Sequence, residues 1–459
     1  MTDCNHRQRT RIIAVMVIVV GLAGGAWGQE RQSGAGRGQP GAPTGRRLIE
    51  NLGCVVCHTM EGHTTTVAKE APDLTYEGDK VRPDWVFAFL MKPHSLRPWL
   101  NARMPSFQLS DREALALTEY IRQELRDKAA PPLPAALRSA GQVSKGLAAA
   151  GKELASQKYL DCVSCHMVGK KKPEGSREDW APDLAKAAAR LNPDWVVRWL
   201  LDPQKIQTGT RMPSYFAGRD SGPADVLGGD EHRQILALRA WLLGLGTASD
   251  LKGYATAKAR YPHVSSGEGR RLMTELNCRG CHRVAALPKA RKVAPVLSYT
   301  GTKFRREWLV AFLKKPHTIR AAGYILGWRS RMPDFRLSGQ EVEAIADYLM
   351  TLTRPGRARG VVREGKRLSR LKTFQARKLF EKTKGCIGCH RIKKRQGKVV
   401  GGLSGPDLSA AGNRLQGDFM YHFIRDPRTF EPDGKMEIFG DLLAERDART
   451  LAQYLSTLK

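Results

Sequence analysis

The chain reads as an all-α protein made of four helical units in tandem, and three observations carry that expectation. First, Cys-x-x-Cys-His occurs four times, as Cys54–His58, Cys162–His166, Cys278–His282 and Cys386–His390. The step from the first motif to the second equals the step from the third to the fourth, and the middle step is only slightly longer. A fixed long period is the signature of repeated structural units. Second, the same helix and turn signals recur after each motif. Third, no segment keeps up the polar–apolar alternation of a half-buried strand, whereas Val342, Ile345, Ala346 and Leu349 follow helical spacing.

Each unit repeats one plan. A short helix leads into the motif, as in Gly45–Leu52. A loop follows with a proline, at Pro72, Pro182, Pro295 and Pro406. A second helix opens at Trp85, Trp195, Trp308 or Phe419 and stops before Pro93, Pro203, Pro316 or Pro427. Proline ends a helix because it lacks the N–H and clashes with the preceding turn. A methionine loop comes next, then a closing helix with Tyr120, Trp241, Tyr348 or Tyr454 in register. Two closing helices begin with a capping box, Ser110 to Glu113 and Ser338 to Glu341. Repeats one and three share Lys-Pro-His at Lys92–His94 and Lys315–His317, and repeats two and four share Asp202-Pro203 and Asp426-Pro427. The step from Cys54 to Cys278 is the same as that from Cys162 to Cys386, which points to duplication of a two-motif unit.

The motif itself names a chemistry. Two thiols three positions apart, followed at once by histidine, form the attachment signature of c-type haem: the thiols add to the vinyl groups and the imidazole is placed to bind iron. Neither a redox dithiol nor a four-cysteine zinc site requires that histidine. A methionine follows each histidine at a nearly constant distance. The separations of His58 and Met104, His166 and Met212, and His390 and Met436 are identical, and that of His282 and Met332 is four positions longer. The first three methionines sit in Arg-Met-Pro, at Arg103–Pro105, Arg211–Pro213 and Arg331–Pro333, while the fourth is Lys435-Met436-Glu437. A thioether opposite the imidazole completes a six-coordinate iron and raises its potential. The expected cofactors are four covalent haems. Their thioethers would come from Cys54, Cys57, Cys162, Cys165, Cys278, Cys281, Cys386 and Cys389, and the axial pairs would lie within each repeat. His94, His317, His422 and Lys435 are the competing ligands.

Eight of nine cysteines are in motifs, and the ninth is Cys4. Arg7, Arg9 and Arg11 precede the apolar run Ile12–Ala26, and Ala26-Trp27-Gly28 supplies small residues, so residues 1–28 read as an export signal. An uncleaved membrane anchor is the competing reading. Residues 29–44 read as a flexible linker, and the haem units are expected at 45–128, 145–246, 265–353 and 373–459. The intervening stretches 129–144 and 354–372 read as linkers. The net charge is +31, and it stays strongly positive once the haem propionates are counted. Such a surface steers association toward acidic redox proteins, a membrane respiratory complex or an anionic membrane surface. No nucleic-acid-binding motif is present.

These residues resemble the class I c-type cytochrome domain, the mitochondrial and bacterial cytochrome c type, in four tandem copies from about residue 45. The resemblance implies an N-terminal helix crossing a C-terminal one around each haem. It implies that Pro72, Pro182, Pro295 and Pro406 accept a hydrogen bond from the histidine of their own repeat, and that Met104, Met212, Met332 and Met436 are the distal ligands. A propionate partner for the arginine before methionine is a further expectation. Function follows as single-electron transfer in a respiratory chain, in the periplasm or another exported location. The alternative is a multihaem redox enzyme with one open haem, in repeat four, where the methionine loop departs most.

Overall fold

The computed structural model describes residues 42–65, 67, 71–97, 103–138, 145–216, 222–246, 252–357, 359–364, 368–394 and 397–459. The expected export signal at 1–28, and all but the end of the linker at 29–44, lie outside them.

The chain is mostly helical, as its periodicity requires. Repeat one supplies α1 (Ala42–Asn51), α2 (Pro83–Met91) and α3 (Asp111–Glu124). Repeat two supplies α4 (Lys145–Leu154), α5 (Pro193–Leu201) and α6 (Glu231–Gly244). An unpredicted helix, α7 (Lys252–Arg260), precedes repeat three. Repeat three contains α8 (Ser266–Glu275), α9 (Arg306–Lys314) and α10 (Gly339–Thr351). Repeat four contains α11 (Arg370–Lys378), α12 (Gly417–Arg425) and α13 (Glu445–Ser456). Both expected capping boxes form, with Ser110 and Ser338 each exchanging hydrogen bonds with the glutamate three residues on. One departure from all-helical structure is a two-stranded hairpin, β1 (Ile392–Lys393) and β2 (Val399–Val400), just after the motif of repeat four. Among the described residues no helix is long and apolar enough to cross a membrane.

The main correction concerns which helices cross. In repeat two, α4 packs on α6 of the same repeat, and in repeat four α11 packs on α13. Repeats one and three exchange partners: α1 packs on α10, and α8 packs on α3. Segments 45–128 and 265–353 therefore do not each enclose a core. One core joins Ile49, Leu52 and Val55 to Leu309, Val342, Ile345 and Leu349. Its counterpart joins Leu272, Met273 and Leu276 to Phe87, Leu115, Leu117 and Tyr120.

Glycine sets three of these crossings. A Cβ on Gly45 would lie 1.9 Å from the Ala344 carbonyl oxygen, on Gly269 1.9 Å from that of Ala116, and on Gly151 2.0 Å from that of Ala237. Only a residue without Cβ lets the two backbones approach that closely.

The exchange has a physical reason. The stretch from motif histidine to loop proline is equally long in repeats two and four, from His166 to Pro182 and from His390 to Pro406. From His58 to Pro72 it is two positions shorter, and from His282 to Pro295 three positions shorter. A short hinge that strains to fold back favours trading equivalent elements between copies. The trade costs little, because each element finds the same contacts on the other copy. Repeats one and three are related by an approximate two-fold. At its axis Ser106 and Asp334 exchange two backbone hydrogen bonds, both 2.7 Å.

The expected linkers are docked segments. Leu133 and Leu137 are buried in the core of repeat two, and Val362 is buried in that of repeat four. Helix α7 lies on α2 and α3 with Ala257 buried.

Candidate haem sites

Each motif begins in the same unusual backbone state. The residue before the first cysteine is left-handed: Gly53 (φ 71°), Asp161 (46°), Asn277 (57°) and Gly385 (60°). Gly, Asn and Asp are the residues that tolerate this region best. The turn lets each cysteine pair start a tight helical turn, closed by a bond from the histidine N–H to the first cysteine carbonyl, at 2.9–3.0 Å in all four.

The histidines are held by the four predicted prolines, but two assignments are exchanged. His166 Nδ1 lies 2.8 Å from the Pro182 oxygen, and His390 Nδ1 lies 2.9 Å from that of Pro406, each within its own repeat. His58 Nδ1 instead bonds the Pro295 oxygen at 2.8 Å, and His282 Nδ1 bonds the Pro72 oxygen at 3.0 Å. The expectation that Pro72 serves His58 and Pro295 serves His282 is therefore corrected, for the hinge-length reason given above. A second bond fixes the same frame. The N–H two residues after each proline donates to the carbonyl one residue after each histidine: Leu74 to Arg283, Leu184 to Met167, Leu297 to Thr59 and Leu408 to Arg391, every one at 2.9 Å. The frame is identical in all four sites, and only the chain segment that supplies it differs.

This geometry prepares the imidazoles for a metal. Burial lowers the pKa of His58, His166, His282 and His390, opposed in each by the proline carbonyl. A neutral ring that donates through Nδ1–H keeps its Nε2 lone pair for iron and is a stronger ligand for being so held. Burial pushes the thiols of Cys54, Cys278 and Cys281 up to about 12 and that of Cys162 up to about 11. None of the eight motif cysteines is in a disulfide. Among the described residues, no three His, Cys, Asp or Glu side chains gather as they would around a bare metal ion.

Met104, Met212, Met332 and Met436 are all half-buried. Met212 packs on the core that contains Cys162, and Met436 on the core that contains Cys386. Met332 packs on the core that contains Cys54, not that of Cys278. His94 and His317 are exposed and meet Phe89 and Phe312 edge-on, at 5.3 and 5.2 Å between centroids. His422 meets Tyr421 edge-on, and Lys435 is exposed.

The arginines before methionine each have a carboxylate partner. Arg103 bonds the Glu341 carboxylate, and Arg331 reaches Glu113 through two bonds of 3.2 and 3.0 Å. These are the capping-box glutamates of the opposite repeat, so the pair is reciprocal. Arg211 in repeat two, where no such partner copy exists, meets Asp179 on the surface.

Sequence reasoning passed over two groups. One is a cation eight residues after each loop proline: Lys80, Arg190, Lys303 and Arg414. Lys80 and Arg190 share the single carboxylate of Glu77, and Lys303 pairs with Glu431. Arg190 Nε is buried without a partner, and burial lowers Arg414 to about 10. An unsatisfied buried guanidinium N–H is costly in a finished structure. Here it fits an anionic group such as a haem propionate, so the donor set suits haem as a whole. The other is Trp199, whose indole N–H donates to Met212 Sδ at 2.8 Å. The fixed eight-residue spacing was the available signal for the first. Trp199 stands where the other repeats have Phe89, Phe312 and Phe423, which was the signal for the second.

Residues 42–124 and 266–353 match the cytochrome c family. These two segments are cytochrome c domains, a type that binds haem covalently and works by haem-based electron transfer. They contain the first and third motifs. No curated protein matches the chain. Beside the cytochrome c domains, the second and fourth motifs share their histidine–proline–leucine frame bond for bond. The motifs of the two cytochrome c domains also touch. Asn277 Nδ2 lies 3.5 Å from Cys57 Sγ, and a Cβ on Gly280 would lie 1.9 Å from Val56 Cγ1.

Proposed function

We propose that the protein is an exported tetrahaem cytochrome that passes single electrons between partners of a respiratory chain. The observation that carries this reading is the four-fold recurrence of one frame: two cysteines, a half-buried histidine oriented by a proline carbonyl, and a half-buried methionine. Haem bound there would supply an iron that changes charge by one electron without making or breaking a substrate bond. The chain's own part is to attach, orient and shield it. Cys54, Cys57, Cys162, Cys165, Cys278, Cys281, Cys386 and Cys389 would hold the porphyrins. His58, His166, His282 and His390 would bind iron from one face and Met104, Met212, Met332 and Met436 from the other. Buried cations such as Arg190 and Arg414 would neutralise propionates.

The packing of Met436 on the core of Cys386 supports a closed fourth site and so favours carrier over enzyme. The net charge of +31 supports docking on acidic redox proteins or an anionic surface, with on-rates that fall as salt rises. The expected export signal and the haem-attachment motifs support a location outside the cytoplasm. The deciding experiment is mass and optical spectroscopy of the purified holoprotein. Four thioether-linked haems, all low-spin with a sulfur-to-iron charge-transfer band, are expected. Fewer haems would refute the tetrahaem reading. One high-spin iron that binds cyanide rapidly would replace the carrier with an enzyme.

A further inference from the structure

We infer that the irons of the first and third motifs take their sixth ligand from the opposite repeat: Met332 completes the site of His58, and Met104 completes the site of His282. This rests on the haem reading above and assigns ligand sets that sequence order does not suggest.

The argument starts from the frame. A methionine binds the iron opposite a histidine only if its loop closes over the same core as that histidine. The proline loop, second helix, methionine loop and closing helix of a repeat are joined by short connections and pack as one half-domain. The histidine–proline bond shows which half-domain faces which motif. For His58 it is the half-domain of repeat three, through Pro295. The helix before that motif agrees, because α1 crosses α10 with Gly45 against Ala344. Met332 and Phe335 then pack on the cluster of Ile49, Leu52 and Cys54. For His282 it is the half-domain of repeat one. His282 bonds Pro72, α8 crosses α3 with Gly269 against Ala116, and Phe107 packs on the cluster that contains Cys278.

The two-fold relation joins these observations. Met104 and Met332, Ser106 and Asp334, Gln108 and Arg336, and Glu113 and Glu341 are all offset by one and the same interval along the chain. Gln108 donates to the Pro316 carbonyl and Arg336 to that of Pro93, so these contacts cross the axis in both directions. Gln108 and Arg336 both sit at φ 51°, which holds the two methionine loops in matching shapes. A set of contacts repeated in both directions is the mark of an isologous exchange. The chain thus carries in one polypeptide the arrangement of a swapped dimer of two-motif units.

The test is epistatic and uses the full-length holoprotein. Cys54→Ser with Cys57→Ser removes covalent haem from the first motif and leaves three. In that background Met332→Ala is expected to leave all three low-spin. Met104→Ala is expected to turn one of the three high-spin and remove its charge-transfer band. The reverse pattern, with Met332→Ala silencing one of the remaining haems and Met104→Ala silent, overturns the exchange.

If the three-haem background fails to accumulate, the parent protein answers by NMR. In the ferrous state the upfield-shifted methyl lost in Met332→His should show nuclear Overhauser effects to the haem attached at Cys54. Effects to the haem attached at Cys278 overturn the proposal. A parent protein without haem at Cys54 or Cys278 overturns both the haem assignment and the exchange. Haem at both, each with the methionine of its own repeat, overturns the exchange alone.

Discussion

Arg331 and Glu113 lie in different repeats, far apart along the chain, and their coupling tests the exchanged packing without reference to haem. Their two hydrogen bonds, 3.2 and 3.0 Å long, form a bidentate pair with side chains 21% and 11% exposed. Fully exposed pairs are worth about 0.2–1 kcal/mol, and removing one member of a fully buried pair costs about 3–5 kcal/mol. This pair lies between those limits, so Arg331→Ala should cost about 2 kcal/mol. Glu113→Ala should cost about 2.5 kcal/mol, because the same carboxylate also accepts from Ser110 in the capping box. The double variant should cost about 3 kcal/mol, since the cap is lost either way, which leaves a coupling of about 1.5 kcal/mol. Urea unfolding followed by tryptophan fluorescence is the assay, as urea does not screen the charges. Arg331 with Glu341, the equivalent carboxylate of its own repeat, is the control and should show no coupling. Coupling of Arg331 to Glu341 and not to Glu113 would mean that the repeats close on themselves, and the exchanged fold would be wrong.

Three further outcomes follow from named contacts. Gly45→Ala places a methyl 1.9 Å from a backbone oxygen and should cost about 1–3 kcal/mol, whereas Gly146→Ala, with nothing within 4 Å, should stabilise by up to about 1 kcal/mol through helix propensity; differential scanning calorimetry compares them. Trp199→Phe removes the N–H that draws on Met212 Sδ, so the sulfur becomes a better donor to ferric iron and the potential of one haem should fall while three stay put, as read by spectroelectrochemical titration. Burial alone would raise the carboxyl of Glu113, but hydrogen bonds from Arg331 and Ser110 reverse this and hold it below the usual carboxylate range. A depressed folded-state acid adds stability that is full above its unfolded value and lost as pH falls through the folded one. The stability gap between the parent and Glu113→Gln should therefore be constant near neutrality and shrink below about pH 4.3, and a gap that widened in acid would contradict the assigned partners.

How far the sequence speaks is clearest at the prolines. The residue types were all legible: Pro72 and Pro295 are oriented as histidine partners, because the spacing from motif to proline reports the frame. Which histidine each one serves was not legible. A periodic pattern constrains what touches what within a unit, and two nearly identical units satisfy it equally well in either pairing. Only the loop length breaks the tie, and a deficit of two or three positions is a weak signal beside four strong motifs. The carboxylate partners of two arginines before methionine were hidden for a related reason. Arg103 and Arg331 find their carboxylates on the other copy, so no local spacing could show them. Helix α7 was missed because its single buried alanine, Ala257, and its Tyr254, which donates to Glu119, leave no periodic stripe to read.

The exchange also bears on what such a chain gains over four separate carriers. Repeats two and four attach to their neighbours through matching junctions. Asn192 caps the carbonyls of Asp79 and Val81, and Gln416 caps those of Gly301 and Phe304. Each junction fixes a two-motif unit, and the traded helices then lock the units together around the Ser106–Asp334 axis. The first and third motifs also meet each other, with Cys57 beside Asn277 and Val56 against Gly280. Tethering by linkers would bring two sites together only for part of the time, at a concentration set by linker reach. Here each of the two cores is built from both repeats, so the folded chain itself, not a linker, holds the two motifs in contact. At the first and third motifs the cysteine pair is thus supplied by one repeat and the proline that orients its histidine by the other, whereas the second and fourth motifs keep both within their own repeat.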